Sequence, residues 1–80
     1  MKLNADDLRT LITGKLGVED PFENDTPLFS AGILDSFNLL ELIVFIEKAE
    51  GIKVKPTEVK LENLDSLDRM LQFIARKHAS

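Results

Sequence analysis

Eighty residues, 44% hydrophobic and 30% charged, allow one small domain spanning 1–80 with a single core, too little chain for a deep enzyme pocket. The formal net charge of -4 argues against a nucleic-acid partner, which needs clustered Lys and Arg, and the absence of cysteine excludes disulfides, thiolate metal sites and a cysteine nucleophile. No apolar run is long enough to span a bilayer, and Asp6-Asp7 turn the N-terminus acidic where a signal peptide would become apolar, so the expectation is a cytoplasmic protein with no membrane insertion.

The first helix reads from about 5 to 16. Asn4 is its N-cap, Asp6 and Asp7 occupy its first turn, and Leu8, Leu11, Ile12 and Leu16 recur at helical spacing until Gly17 ends it. Gly14 marks either a weakened helix or a neighbour close to its backbone. From 17 to 35 there is no period but there are two prolines, Pro21 and Pro27, and scattered apolar residues: Val18, Phe22, Leu28, Phe29, Ile33 and Leu34. Such a long connection is expected to be ordered, pegged to the bundle by those side chains, with room for a brief helical turn around 22–25 or 27–31.

The second helix is expected over 36–50, with Asp35 as N-cap and Gly51 as its stop. Leu39, Leu42, Ile43, Ile46 and Ala49 share one face, the core face. Phe37, Leu40 and Val44 form a second stripe on the other side, with Glu41, Glu47 and Lys48 at its edges. Either the long loop covers this stripe or it is a docking surface for another protein. Ile52 and Val54 are pegs in a connector, Pro56 opens a turn, and 61–64 form a short helical turn. Asp65 or Ser66 then caps a last helix over about 66–78, where Leu67, Met70, Leu71 and Ile74 keep helical spacing and Ala79-Ser80 are expected to fray. The fold class is all-α: a three- to four-helix bundle with a long loop between helices 1 and 2.

Asp35 at the N-cap places Ser36 at the first helical position, with its hydroxyl at the open mouth of the helix. An anion attached there would sit at the positive end of the helix dipole, beside free backbone donors. On residue chemistry alone, Ser36 is equally a helix-start serine and a modification site. A serine nucleophile in its own right lacks a base, because the only histidine, His78, lies in the last turn and reads as a surface residue complementing the helix dipole. Asp35, Glu41 and Glu47 diverge along an exposed helix and read as a solvated rim, not a metal site.

Leu34-Asp35-Ser36-Phe37, followed by Leu39-Leu40-Glu41-Leu42-Ile43 and preceded by Leu28-Phe29 and Gly32, resembles the phosphopantetheine attachment site of acyl and peptidyl carrier proteins. The resemblance implies a non-catalytic carrier on which Ser36 bears 4′-phosphopantetheine through a phosphodiester, the arm ending in a thiol that holds acyl or aminoacyl groups as thioesters. It implies that Asp35 caps the helix and helps place the serine and metal in the phosphopantetheinyl transferase. It also implies that Phe37, Leu40, Glu41, Val44 and Glu47 meet partner enzymes, among them acyl or aminoacyl ligases and transferases. Fatty acid and secondary metabolite biosynthesis are both within the family's range. Phe37 after the serine, Lys48 in the acidic run and Glu50 where relatives carry a bulky apolar residue look more like discrete aminoacyl or D-alanyl carriers than a housekeeping carrier. A start at Met1 and an end just after the last helix suit a free-standing monomer. The rival from another class is an unmodified helical adaptor that docks proteins through Phe37, Leu40 and Val44.

Overall fold

Asn4 opens the first helix through a reciprocal cap: its side chain accepts from the Asp7 N–H at 2.9 Å, and the Asp7 carboxylate accepts from the Asn4 N–H at 3.0 Å. In the computed structural model, which describes residues 1–79, helix α1 runs over Ala5–Thr10 and continues as a π turn over Leu11–Lys15. Gly14 lies in that turn, and no neighbour comes within 4 Å of the place a Cβ would take. The close-neighbour explanation therefore fails. The glycine weakens regular α-helix, and the turn widens there.

Helix α2 spans Ser36–Glu50 and stops at Gly51, whose φ of 65° is the left-handed conformation that glycine adopts without strain. A 3₁₀ turn over Pro56–Glu58 and the single turn α3, Leu61–Leu64, lead to α4, Leu67–Ala79. The Ser66 hydroxyl accepts from the Arg69 N–H at 3.1 Å, so Ser66 caps α4 and Asp65 is free for other work. Ala79 belongs to α4, and the fraying expected of Ser80 lies outside the described residues. Among the described residues there is no strand, and no helix is long and apolar enough to cross a membrane.

The core is one cluster. Leu8, Leu11 and Ile12 meet Leu67, Met70, Phe73 and Ile74 as α4 packs on α1 and α3, and α2 adds Leu42 and Ile46. Phe22, Leu28 and Leu34 drop into the same core from the long loop, which explains why a segment without period is held in place. Arg9 lies over the Phe22 ring, 4.7 Å from its centroid, and donates to the Phe22 carbonyl and the Asn24 side chain. Further on, the Asp68 N–H donates to the Asn24 carbonyl at 3.0 Å. These anchors hold the loop against α1 and α4.

Glu50, the carboxylate that stands where relatives carry a bulky apolar residue, lies buried at the end of α2. It is 6% exposed and takes N–H groups from Lys2 at 2.9 Å and Leu3 at 2.6 Å, while His78 Nε2 lies 2.8 Å from its other oxygen. His78 is exposed, as a surface residue should be, and also pairs with this carboxylate. It and the N-terminal segment are clasped to the end of α2. Burial pushes the Glu50 carboxyl up, but the Leu3 N–H, His78 and the Lys2 N–H together outweigh it and hold the group below its ordinary value.

A carboxyl lowered in the folded state contributes stability above its unfolded pKa and loses it as pH falls toward the folded one. Glu50, Glu58 and Asp65 are all shifted this way. The melting temperature should therefore drop progressively below about pH 5, as unfolded carboxyls take up protons before the folded ones do. Glu50→Ala, which strands two N–H groups, should cost roughly 1 to 3 kcal/mol at neutral pH and flatten that acid limb. A melting curve against pH for parent and variant checks both, and an unchanged acid limb in Glu50→Ala would show that the clasp contributes nothing to it.

Candidate functional site

The start of α2 is built by a reciprocal cap that the sequence showed only in half. Asp35 Oδ1 accepts from the Asn38 N–H at 2.9 Å, as an N-cap aspartate should. Asn38 answers by accepting the Asp35 N–H on its side-chain oxygen at 3.2 Å, closing the box. Asn38 was not singled out from the sequence, although its position three residues after the cap is the signal. With the cap made by its neighbours, Ser36 occupies the first helical position and is exposed.

Beside Ser36 opens a cleft of about 400 Å³. Phe29 and Leu34 line it from the loop, Leu39 from α2, and Val59, Leu61 and Leu64 from the segment around α3, with Lys60 among its lining residues. A largely apolar trough with Lys60 and the cap residue Asp35 as its charged members, at the foot of an accessible hydroxyl, suits a group whose phosphate is fixed at the serine and whose chain runs away from it. The residues present fit a phosphopantetheine arm.

The sequence-selected partner residues fall into two kinds. Phe37, Leu40 and Val44 are 70%, 66% and 48% exposed, so the long loop does not cover the second stripe. It is pegged elsewhere, through Phe22, Leu28 and Leu34. Glu41 is half-buried at the edge of the stripe. Glu47 is half-buried too, and one of its oxygens accepts the Val54 N–H at 2.8 Å, so it braces the connector after α2 and is not a freely solvated rim carboxylate. Among the described residues no group of acidic or histidine side chains converges as a metal site would.

Asp65, a cap candidate in the sequence, leaves the capping of α4 to Ser66 and holds the loop instead. It is buried, accepts from the N–H groups of Phe29 at 2.7 Å and Ser30 at 3.0 Å, and accepts the Ser30 hydroxyl at 2.6 Å. Burial opposes its charge, but these donors and the Arg69 cation prevail, holding the carboxyl below its ordinary value.

The profile of the phosphopantetheine attachment site family matches residues 6–74, from α1 through most of α4. The chain belongs to this family. A D-alanyl carrier protein of Abiotrophia defectiva is 32% identical over 56 residues, covering 70% of this chain and 71% of that protein. One from Streptococcus equi subsp. zooepidemicus (strain MGCS10565) is 42% identical over 50 residues, 62% of this chain and 63% of its own. One from Streptococcus pyogenes serotype M1 is 36% identical over 61 residues, 75% and 77% of the two chains. No solved structure gives a significant match. This protein is a carrier that holds acyl or aminoacyl groups on 4′-phosphopantetheine and works with partner enzymes such as ligases and transferases. Carriers of this family are generally non-catalytic, and because the matched family is defined by its attachment site, membership speaks for a carrier over an unmodified adaptor.

Proposed function

We propose that Ser36 is the attachment residue and that the cargo is a D-alanyl group or another small aminoacyl group. The observation that supports the attachment is the placement of an exposed hydroxyl at the first position of α2, held there by the Asp35–Asn38 cap and bordered by the apolar cleft. The α2 N-terminus favours the phosphodiester that attachment creates, through its dipole and unpaired N–H groups. When bound, the arm supplies a thiol that holds the acyl or aminoacyl group as a thioester. The cleft's apolar walls would lie along the arm, with Lys60 the cation among its lining residues.

The cargo rests on relatives that are named D-alanyl carrier proteins, and on Phe37, Lys48 and Glu50, which set the chain apart from bulk fatty acid carriers. Phe37, Leu40 and Val44, with Glu41 and Glu47 beside them, are the face we assign to the transferase that adds the arm and to the enzymes that load and unload it. Recognition there is expected to be weak and repeated, with the tethered arm providing a high local concentration of cargo.

Incubation with coenzyme A, Mg²⁺ and a broad-specificity phosphopantetheinyl transferase should add one phosphopantetheine, mapped by peptide mass to residue 36. The modified chain, offered to a panel of amino-acid and acyl ligases, should take D-alanine from a D-alanine ligase in preference to long fatty acyl groups. Modification at another serine would overturn the attachment, and loading by fatty acyl ligases alone would overturn the cargo.

A further inference from the structure

One side chain holds the loop that leads to Ser36. Asp65 sits where α3 meets α4, and its carboxylate takes the Phe29 N–H, the Ser30 N–H and the Ser30 hydroxyl, while its own carbonyl accepts the Leu28 N–H at 2.6 Å. The Leu28 carbonyl in turn accepts from the N–H groups of Ile33 at 2.9 Å and Leu34 at 3.0 Å. The next residue is Asp35, the cap of α2. The carboxylate thus holds Phe29 and Ser30, the main chain of the same residue holds Leu28, and through the Leu28 carbonyl the hydrogen bonds run on to Leu34, two residues before Ser36.

The same contacts set the cleft itself. Phe29 and Leu34 are its loop wall, and Leu64, the neighbour of Asp65, belongs to the opposite wall. A buried carboxylate is a costly way to fill space, since it must be stripped of water. What it supplies in return is three convergent acceptor contacts that an apolar side chain cannot make, and these fix the spacing between the two walls.

We propose that Asp65 is a positioning residue for the modification of Ser36: by pinning Phe29 and Ser30, beside the Leu28 that its main chain holds, its carboxylate presents the Asp35-Ser36 turn and the adjoining cleft wall in the one arrangement that the transferase engages. The proposal rests on the assignment of Ser36 as the attachment residue. Without the pin, the turn divides its time among arrangements, and the transferase meets the competent one less often. A reduced competent fraction weakens apparent binding in proportion and leaves the chemistry of the bound complex alone.

The experiment measures KM and kcat for modification of the full chain by a phosphopantetheinyl transferase, with coenzyme A as donor and intact mass as readout, at a temperature where every variant is folded. Asp65→Ala should raise the KM for the carrier about fivefold or more with kcat within about twofold, the signature of a smaller competent fraction. Hydrogen exchange at the Phe29 and Ser30 amides, which lose their acceptor, should quicken in the same variant. Asp65→Asn, which keeps an acceptor for the two N–H groups, should recover most of the parent's KM. Glu50→Ala, which loosens the opposite end of α2, should lose stability without moving KM, separating positioning from general destabilisation. Should Asp65→Ala fail to fold, Ser30→Ala carries the test, because it removes only the hydroxyl donor and should raise KM about twofold. A folded Asp65→Ala with the parent's KM, or, in its place, a Ser30→Ala with the parent's KM and unchanged exchange, overturns the proposal. A parent chain that takes no group at residue 36 overturns the attachment assignment instead, and this proposal with it.

Discussion

Ser36→Ala is expected to take up no phosphopantetheine while melting within about 1 kcal/mol of the parent. The loss should be complete because a methyl group has no oxygen to form the phosphodiester. Stability should survive because the helix start does not depend on the serine: Asp35 accepts the Asn38 N–H and Asn38 accepts the Asp35 N–H, both independent of residue 36. Alanine is also the best helix former, so the substitution adds no propensity cost at the first helical position. Asp35→Ala makes the informative contrast, since it breaks the cap and should cost on the order of 1 kcal/mol while leaving the hydroxyl in place. Intact mass after transferase treatment, with thermal melts of both variants, reads the two effects separately. Labelled Ser36→Ala would move the attachment elsewhere, with exposed Ser30 the first serine to examine and Ser66, buried as the cap of α4, the second.

Local signals made much of this legible from the residues. The caps Asn4 and Asp35 and the stop at Gly51 depend on a few neighbouring residues, and the structure places each where the pattern predicts. The core face of α2 was legible because burial follows the helical period, and Leu42 and Ile46 are fully buried. What escaped were polar contacts between distant parts of the chain. Asp65 reads as a cap candidate for α4, and nothing nearby says that its donors lie in the loop around Ser30. Glu50 stands out in the sequence only as a departure from the apolar residue that relatives carry there, and nothing nearby names its partners, which are backbone N–H groups of Lys2 and Leu3 and a histidine at the other end of the chain. A periodicity argument registers only whether a residue is apolar, so a buried carboxylate with satisfied donors is invisible to it. The π turn after Thr10 was missed for a related reason: Gly14 signals weakness without saying which irregular geometry replaces the helix.

The outer stripe of α2 should separate folding from recognition. Ile46 is fully buried, so Ile46→Ala opens a cavity and should cost roughly 2 to 5 kcal/mol. In a domain of this size that lowers the melting temperature on the order of 10 °C or more, or unfolds the chain. Leu40 and Val44 are 66% and 48% exposed, so polar replacements there remove side chains that the folded protein already leaves largely in water. Val44→Asn is the cleaner probe, because valine and asparagine have similar helix propensities; Leu40→Asn carries an extra cost of about 0.5 kcal/mol from propensity alone. Both should melt near the parent. If the stripe docks partner enzymes, each should lower kcat/KM for transferase modification and for ligase loading about tenfold, the loss of about 1.4 kcal/mol of interface energy. The opposite pattern is equally readable. Melting as low as Ile46→Ala would mean that the stripe is part of the core, and parental melting with parental kcat/KM would mean that partners engage the carrier elsewhere than through Phe37, Leu40 and Val44.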